Sequence, residues 1–403
     1  MSTEFDVLVV GAGIHGAGVA ESLTAAGYRV AVLEQQAVAA GTSSRSSKLI
    51  HGGLRYLESG QFSLVYECLK ERKWLLAHKP DLVHMVPFLI PVYRHSKRPP
   101  WKVRLGLTLY ALLAGLFNPY SRFRSLDIRD WEELEGLNSD DLLAVYRYFD
   151  AQTDDAALTR EVIRTAQRGG AELICPGSLV GAEVTDKFVR ADYFHQGQLN
   201  TLHCKALVNC TGPWIEDTNS KCSPGAKLPA LELVAGTHIQ VPLKIANKIF
   251  YVEAEDGRAV FVMPWQGETL VGTTERPYHG DPGEVAPTLE EKAYLLRTLK
   301  QHFPETRPLQ LHELSDSWAG LRVLPHATAS PFSRSRETMI CSNNDKCPRV
   351  VAVAGGKLTS YRATARQVLK KLRPLLDSTN NGSLHSESPT HPDRETSAEG
   401  RHL

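Results

Sequence analysis

Residues 5–34 read FDVLVVGAGIHGAGVAESLTAAGYRVAVLE, which predicts a buried strand, a glycine-rich turn, a helix and a second strand. In this setting Gly11 permits the tight turn, Gly13 lets a pyrophosphate approach the backbone, and Gly16 allows the helix to pack closely on the strand. The helix N-terminus offers unpaired N–H groups and a favourable dipole to phosphates. Glu34 ends the second strand, where a carboxylate accepts hydrogen bonds from an adenosine ribose and disfavours a 2′-phosphate. The stretch therefore predicts an adenine dinucleotide site that disfavours NADP. The predicted contacts are Gly11, Gly13, Ile14, His15, Gly16 and Glu34.

The composition is that of an ordinary globular chain. Of the 403 residues, 42% are hydrophobic, which is enough for a sizeable core, and the length suggests two or three domains. The formal net charge of +1 gives no indication of nucleic-acid binding. The seven cysteines are odd in number and lack CxxC spacing, which favours reduced thiols in the cytoplasm over a disulfide framework or a zinc site. We predict no metal site.

One apolar segment is a candidate for contact with a membrane surface. The N-terminus does not resemble a signal peptide, because it is acidic and leads directly into the first strand. No run reaches the ~18 apolar residues of a spanning helix. The longest run, Gly106–Phe117, has arginines and lysines before it and arginines after it. Two interpretations stay open, namely peripheral contact with the inner face of the cytoplasmic membrane and a buried core helix with a solvated basic edge.

A polar loop and a glycine pair follow the first two strands. The loop Gly41–Lys48, GTSSRSSK, is dense in hydroxyls and backbone N–H groups that suit a phosphate or a flavin edge, and a flexible turn is the alternative. In Leu49–Leu57, LIHGGLRYL, a histidine, an arginine and a tyrosine surround two glycines that let the backbone approach a ligand. The candidate contacts in these two segments are Thr42, Ser43, Ser46, Ser47, Lys48, His51, Gly52 and Gly53.

With these segments and several later motifs, the chain resembles the FAD-dependent glycerol-3-phosphate dehydrogenases. The stretch GTSSRSSKLIHGGLRYLE, residues 41–58, closely resembles the signature of that family. The resemblance covers residues 4 to about 373, and the combination of motifs is far more specific than any one of them. The further matching motifs are VNCTGPW (208–214), GTHIQVP (236–242), FVMPW (261–265), VGTTE (271–275), AGLRVL (319–324) and AGGKLTSYR (354–362).

The resemblance implies an α/β flavoprotein of D-amino-acid-oxidase-like architecture. A Rossmann-like FAD-binding domain is expected beside a substrate domain with a mixed or antiparallel sheet, and short strand-like runs between Leu231 and Arg276 agree with such a sheet. The expected boundaries are residues 1–80, 150–220 and 340–376 for the FAD domain, 81–149 and 221–339 for the substrate domain, and 377–403 for a disordered polar tail. The main helices are predicted at Phe62–His78, Leu126–Leu137, Leu158–Arg168, Leu289–His302 and Leu358–Arg373.

The same resemblance implies a reaction and a set of substrate-binding cations. The reaction is oxidation of sn-glycerol 3-phosphate to dihydroxyacetone phosphate, with hydride passing to N5 of FAD and electrons passing on to a quinone or another acceptor. A phosphate dianion prefers guanidinium or ammonium partners. Arg55, Arg322 and Lys357 lie at matched motif positions and are the first candidates to anchor the substrate. Arg336 matches a further arginine of the family.

The proton acceptor is left open between two histidines. His51 and His238 are both candidates because imidazole titrates near neutral pH, and each is alternatively a structural histidine. Tyr56 is expected either to hydrogen-bond the substrate or to be a core aromatic. The expected catalytic set is Arg55, Tyr56, His238, Arg322 and Lys357. The remaining expected cofactor contacts are Thr211, Gly212, Gly356, Lys357, Leu358 and Thr359.

Two other classes of function are compatible with the same motifs. One is an amine, amino-acid or hydroxy-acid oxidoreductase of the same architecture, and the other is a non-catalytic flavin-binding sensor. The residues around Arg55 and Lys357 favour a phosphate substrate over an amine. Longer bacterial members carry a helical domain after the final helix, where this chain has a polar tail. That difference leaves the electron acceptor, the oligomeric state and membrane attachment open.

Overall fold

The computed structural model is built on two β-sheets with helices packed around them. It describes residues 4–115, 120, 122–127, 134–326 and 338–380. The helices in this part of the chain are α1 Ile14–Ala25, α2 Phe62–His78, α3 Pro100–Ala114, α4 Asp155–Arg168, α5 Ile215–Ser220, α6 Leu289–His302 and α7 Tyr361–Asn380. The strands are β1 Phe5–Val10, β2 Val30–Leu33, β3 Leu49–Ile50, β4 Val83–Tyr93, β5 Arg124–Ser125, β6 Leu142–Thr153, β7 Glu172–Ile174, β8 Gly177–Val184, β9 Val189–His195, β10 Gln198–Asn209, β11 Cys222–Ser223, β12 Leu231–Val241, β13 Ile249–Glu253, β14 Ala259–Trp265, β15 Glu268–Gly272, β16 Arg276–Tyr278, β17 Asp316–Pro325, β18 Met339–Ser342 and β19 Val350–Ala354.

The first sheet is centred on β1 and has nine strands. Its order is β11-β8-β9-β10-β1-β2-β7, with β19 paired to β10 and β18 paired to β19. Strands β7, β2, β1, β10 and β19 run parallel, and β2 and β19 are buried along their whole length, as expected where both faces of a parallel sheet are covered. The carboxyl ends of β1 and β10 therefore bring Gly11 and Thr211 to the same edge of the sheet.

The second sheet has ten strands and is almost wholly antiparallel. Its order is β16-β12-β15-β14-β13-β4-β6-β3, with β17 beside β12 and β5 beside β6. Only the β4–β13 pair among these neighbours is parallel. Strand β3 comes from the N-terminal segment assigned to the FAD domain, yet it pairs with β6 of this sheet. The predicted combination of a Rossmann-like sheet with a mixed or antiparallel sheet is confirmed, and the domain boundaries stay a prediction.

Several helices have the predicted bounds, and the differences have local causes. Helices α2 and α6 begin and end where expected. Helix α4 begins before the predicted Leu158, because Asp154 caps it by accepting a 2.9 Å hydrogen bond from the Ala157 N–H. Helix α7 begins at Tyr361 rather than Leu358 and runs to Asn380, past the predicted start of the tail. Residues 381–403 lie outside the described part, as do residues 128–133 of the helix predicted at Leu126–Leu137.

Helix α3 contains most of the apolar run for which two interpretations were open. Leu107 and Tyr110 are buried against the second sheet, whereas Trp101, Leu105 and Leu112 are exposed. The helix is thus a core element on one side and carries apolar side chains on its surface. None of the helices in the described residues combines the length and hydropathy that a bilayer span requires.

Candidate active site

The glycine turn after β1 is packed so tightly that two of its positions exclude any side chain. Gly11 has a φ of +99°, and a Cβ there would lie 2.7 Å from the Cys210 carbonyl oxygen. A Cβ on Gly16 would lie 1.9 Å from the Gly11 carbonyl oxygen. The N-terminus of α1 is joined to the polar loop, because the Ile14 N–H donates to Ser43 Oγ at 2.9 Å. These contacts give the predicted glycine roles a geometric basis.

Glu34 is held in place by the main chain around it. Its Oε2 accepts a 2.7 Å hydrogen bond from the Ala12 N–H, and its Oε1 accepts one of 2.9 Å from the Gln36 N–H. The residue is buried at the end of β2, beside the glycine turn. Each carboxylate oxygen can still accept a second hydrogen bond. The position and chemistry of Glu34 therefore suit a ribose hydroxyl.

A continuous cavity of about 370 Å³ begins at this turn and runs between the two sheets. Its walls include most of the side chains and loops predicted from the sequence. The predicted residues that line it are Gly11, Gly13, Ile14, His15, Glu34, Thr42, Ser43, Ser46, Ser47, His51, Gly53, Arg55, Tyr56, Thr211, Gly212, His238, Arg322, Gly356, Lys357, Leu358 and Thr359. Three predicted residues do not line the cavity, namely Gly16, Lys48 and Gly52. Arg336 lies outside the described residues.

The ammonium group of Lys48 forms hydrogen bonds and an ion pair with other residues of the protein. Its Nζ donates to Asp155 Oδ1 at 2.7 Å and to the Ser44 carbonyl oxygen at 2.6 Å. Both side chains are buried, and Asp155 also accepts hydrogen bonds from the N–H and hydroxyl of Ser46. The ion pair thus joins the polar loop to the start of α4. A direct contact between Lys48 and the cofactor stays a prediction.

Two arginines meet around one buried carboxylate in the wall formed by the second sheet. Arg55 Nη1 lies 4.0 Å from Glu275 Oε1, and Arg322 Nη1 lies 3.6 Å from the same oxygen. Arg322 Nη2 also donates to Thr273 Oγ1 at 3.3 Å. Gly236 leaves room for Arg322, since a Cβ there would lie 2.8 Å from Nη2. The two guanidinium groups are therefore held together at the cavity, where an anion can approach them.

Tyr56 lies between this pair and a third cation. The Lys357 Nζ is 3.6 Å from the centre of the Tyr56 ring, and the Arg55 guanidinium is 5.6 Å from it. Lys357 comes from the turn between β19 and α7, whereas Arg55 and Tyr56 lie in the short 3₁₀ turn that follows the glycine pair. Two cations from distant parts of the chain thus lie against the Tyr56 ring, and the remaining one, Arg322, lies near the same carboxylate as Arg55.

His238 is a buried, neutral imidazole next to the polar loop. Its Nε2 lies 3.0 Å from Ser47 Oγ, and its ring stacks on Trp318 with the centroids 5.7 Å apart. Burial, reinforced by the Arg322 and Lys48 cations, lowers the pKa of His238 to about 3. Its Nδ1 has no hydrogen-bond partner among the described residues. The imidazole is thus held in the form that can accept a proton.

The other two histidines of the cavity are placed differently. The main-chain N–H of His51 donates to Thr359 Oγ1 at 3.2 Å, so the last βα turn is tied to the glycine pair. Desolvation lowers the pKa of His15 to about 4, and its buried Nδ1 lacks a hydrogen-bond partner within the described ranges. A Cβ on Gly356 would lie 2.4 Å from His15 Nε2. The two glycine-rich turns therefore meet at His15.

The residues present fit an FAD molecule. The glycine turn leaves a backbone cradle for a pyrophosphate, Glu34 is placed for a ribose, and an orphaned imidazole nitrogen at His15 is available to a polar group of a ligand. The elongated cavity then leads to the arginine pair. The chain can thus hold a dinucleotide at one end and an anionic substrate at the other.

Sequence reasoning missed several residues that shape the site. Glu275 ends the VGTTE motif, so it was within a quoted segment but was given no role. Thr273 lies in the same motif, and Trp318 precedes the motif that contains Arg322. Asp155 was not singled out, because its partner Lys48 lies in a distant part of the sequence. A buried carboxylate beside two arginines has no local sequence signal, because its partners lie in a distant 3₁₀ turn and in β17.

The comparisons with known proteins agree with this geometry. The profile described as FAD dependent oxidoreductase matches residues 6–368. A protein of Pseudomonas aeruginosa named glycerol-3-phosphate dehydrogenase is 37% identical, over 92% of this chain and 72% of its own length. A protein of Brucella abortus named D-erythritol 1-phosphate dehydrogenase is 34% identical, over 92% of this chain and 74% of its own length.

A solved structure extends the likeness to three dimensions. It is the glycerol-3-phosphate dehydrogenase of Bacillus halodurans complexed with FAD, with a TM-score of 0.72 and 26% identity. The match covers 93% of this chain and 65% of that one. The chain therefore spans about two thirds to three quarters of the length of these relatives.

Proposed function

The chain belongs to the FAD-dependent oxidoreductase family, and we propose that it oxidises sn-glycerol 3-phosphate to dihydroxyacetone phosphate. The enzyme is an oxidoreductase with FAD as cofactor. The observation that carries the substrate proposal is the cluster of Arg55, Arg322 and Lys357 at the far end of the dinucleotide cavity. A neutral amino-acid or amine substrate would not require three cations there.

The cationic cluster binds the phosphate group and so orients the rest of the substrate. Guanidinium groups form strong charge-assisted hydrogen bonds to phosphate oxygens, and Lys357 adds a point charge. Glu275 lies within 4.0 Å of both arginines and limits the ways in which their side chains can turn. A phosphate fixed in this way leaves the secondary alcohol free to face the cofactor.

His238 accepts the proton of the alcohol. Its imidazole lines the cavity and is neutral there, and an anionic substrate bound beside Arg322 raises the lowered pKa of His238 toward the range that a general base needs. FAD, when bound, supplies the hydride acceptor at N5. Gly11, Glu34, Ser43 and Thr359 are among the residues proposed to hold it, since all four line the cavity.

An anaerobic absorbance spectrum tests the proposal. The purified holoenzyme should show an oxidised flavin spectrum that bleaches on addition of sn-glycerol 3-phosphate, with dihydroxyacetone phosphate as product. D-erythritol 1-phosphate, glycine and sarcosine are the comparison compounds. Bleaching by glycine or sarcosine instead would favour an amine or amino-acid oxidase. A spectrum that no compound changes would favour a flavin-binding sensor, and faster bleaching by D-erythritol 1-phosphate would identify a longer polyol phosphate as the substrate.

We further propose that the electrons leave to a quinone or another apolar oxidant through a groove beside the site. The groove has a volume of about 210 Å³ and a largely apolar wall, and it shares Leu54, Arg55, Tyr251 and Ala259 with the main cavity. Leu109→Trp, which fills the groove, should slow turnover with a short-chain quinone severalfold while anaerobic bleaching by substrate stays unchanged. An unaltered quinone rate would contradict this route.

A membrane surface is the proposed location of the quinone, with the enzyme on the cytoplasmic side. Trp101, Leu105 and Leu112 expose apolar side chains on α3, and Lys102 lies on the same helix. We expect the enzyme to sediment with vesicles that contain phosphatidylglycerol, and Leu105→Glu to reduce that binding. The matched control is Leu289→Glu, which changes an exposed leucine on another helix. Equal binding by both variants would exclude α3 as the contact.

A further inference from the structure

We propose that Tyr110 is a positioning residue that holds the Gly52–Gly53 turn and thereby places Arg55 and Tyr56 in the active site. Tyr110 lies on α3, outside every motif that carries the resemblance, and it does not line the cavity. Its effect on catalysis therefore passes through the turn. The consequence for substrate binding rests on the proposed function, whereas the contact with the turn does not.

The Tyr110 hydroxyl is the centre of a buried hydrogen-bond chain. It accepts the Gly52 N–H at 2.8 Å and donates to Asp150 Oδ2 at 2.6 Å. The other oxygen of Asp150 forms an ion pair with Arg72 of α2. Tyr110, Asp150 and Arg72 are each at most 3% exposed. The single hydroxyl proton points at the carboxylate, so the oxygen lone pairs face the turn.

The buried charges make this orientation hard to change. Burial raises the pKa of Asp150, and the Arg72 guanidinium opposes that rise. Burial raises the pKa of Tyr110 well above its usual range, so the phenol keeps its proton. A buried carboxylate paired with arginine strongly prefers to keep its hydrogen-bond donors. Tyr110 is therefore fixed by the core on one side and fixes the turn on the other.

The turn has no room to move toward Tyr110 and needs a special backbone conformation. A Cβ on Gly52 would lie 2.4 Å from the Tyr110 hydroxyl oxygen. Gly53 has a φ of +80°, and a Cβ there would lie 2.2 Å from the Tyr56 ring. The 3₁₀ turn Leu54–Leu57 starts directly afterwards. A small shift of the Gly52 peptide thus displaces the start of this 3₁₀ turn, and with it the predicted catalytic side chains of Arg55 and Tyr56.

Tyr110→Phe removes only the hydroxyl and keeps the ring in the core. It leaves the Gly52 N–H and one Asp150 oxygen without their partner, so the turn relaxes. We expect faster deuterium uptake in residues 49–57 and a KM for sn-glycerol 3-phosphate that is higher by about tenfold or more, because small displacements of binding groups are costly. FAD should remain bound, since the glycine turn of α1 is untouched.

The matched control is Tyr146→Phe. The Tyr146 hydroxyl donates to the Pro100 carbonyl oxygen at 3.0 Å, so it contacts the start of the same helix but not the turn. This variant also removes one hydroxyl hydrogen bond, but deuterium uptake in residues 49–57 and KM should stay at the wild-type values. If Tyr110→Phe behaves in the same way, the hydroxyl is only structural and the proposal is wrong.

Two further measurements make it possible to reject the role of Tyr110 independently of the proposed function. The exchange rate of the Gly52 amide in the wild-type holoenzyme is measured first, and an amide that exchanges as fast as an open loop would overturn the proposal without any variant. If the wild-type enzyme is not reduced by sn-glycerol 3-phosphate, the proposed function fails, but the uptake difference between the two tyrosine variants still decides the role of Tyr110.

Discussion

Arg322 is the residue for which we expect the largest effect on substrate binding, because its guanidinium group lies at the cavity wall. It is contacted by Glu275 and Thr273 and lies at the cavity wall. Loss of a charge-assisted hydrogen bond costs about 1.5–3 kcal/mol, which corresponds to a factor of roughly 10–160 in binding. Arg322→Ala should therefore raise KM for sn-glycerol 3-phosphate by about that factor, with FAD still bound.

The control for Arg322 is Arg276→Ala. Arg276 lies on β16, which pairs with β12 as the strand of Arg322 does, and it is not part of the cavity wall; its Nε is 3.5 Å from Glu291. Steady-state kinetics of the two variants should differ sharply. Unchanged turnover and KM in Arg322→Ala would remove its anchoring role.

His238 makes the stability of the fold depend on pH. Its pKa of about 3 in the folded state lies below the 6.5 of an exposed histidine, so the unfolded chain binds the proton more readily as the pH falls. Stability is therefore fully present above pH 6.5 and declines by up to about 1.4 kcal/mol per pH unit on the way down to pH 3. His238→Gln should flatten this decline.

Urea unfolding at pH 7.5 and pH 5.0 measures this difference. The wild-type protein should lose about 2 kcal/mol more than His238→Gln over that interval. His84→Gln changes an exposed histidine and should follow the wild type. If His238→Gln also follows the wild type, its imidazole is not held neutral.

For individual residues of the site, the sequence was informative where a residue lies in a local motif. It was not informative where the role of a residue depends on contacts with distant parts of the chain. Arg55, Tyr56, Arg322 and Lys357 lie in quoted motifs, and all four line the cavity. Glu275 takes its meaning from arginines on other elements, as Tyr110 does from Gly52, and no spacing along the chain encodes such contacts.

Two adjacent carboxylates at the start of helix α4 have different structural roles. Asp154 caps the helix, whereas Asp155 pairs with Lys48 and holds Ser46 of the polar loop. Asp154→Ala should lower the free energy of unfolding by about 1 kcal/mol and leave FAD bound. Asp155→Ala should cost about 3–5 kcal/mol, because it leaves the Lys48 ammonium buried without a carboxylate.

Flavin fluorescence separates these two aspartate variants further. The loop held by Asp155 lines the cavity, so Asp155→Ala should also weaken FAD binding. Equal stability losses and equal FAD affinities in the two variants would show that the loop is held by other contacts.

The ends of helices and strands could be predicted where a capping residue or another local sequence signal marks them. Helix α6 begins after Thr288, whose side chain forms a capping box with Glu291, and its predicted bounds are confirmed. Strand β12 runs over Leu231–Val241, whereas only short strand-like runs were predicted between Leu231 and Arg276. Pairing with both β16 and β17 extends it, and such pairing depends on strands from distant parts of the chain.

Over the whole molecule, the cofactor cavity draws on segments from both ends of the chain. The glycine turn of α1, the polar loop and the turn before α7 all line it. A ligand at 100 times its dissociation constant stabilises the folded state by about 2.7 kcal/mol. Removal of FAD should therefore lower the melting temperature and raise deuterium uptake in all three segments together.

Comparison of apo and holo protein by exchange mass spectrometry checks this. Strand β9 lies between β8 and β10 in the first sheet and does not line the cavity, so it serves as an internal reference and should not respond. A response limited to the N-terminal turn would mean that the turn before α7 does not contact the cofactor.

The meeting of the turn at His15 with the turn at Gly356 also governs when the enzyme can acquire its cofactor during biosynthesis. A ribosome adds about 5–20 residues per second, so roughly 20–70 seconds separate the emergence of the two turns. Throughout that interval the end of β10 lacks β19, its partner in the sheet. We therefore expect FAD loading to follow translation of the chain through Thr359, and a nascent chain halted earlier to carry an open sheet edge in place of a complete flavin site.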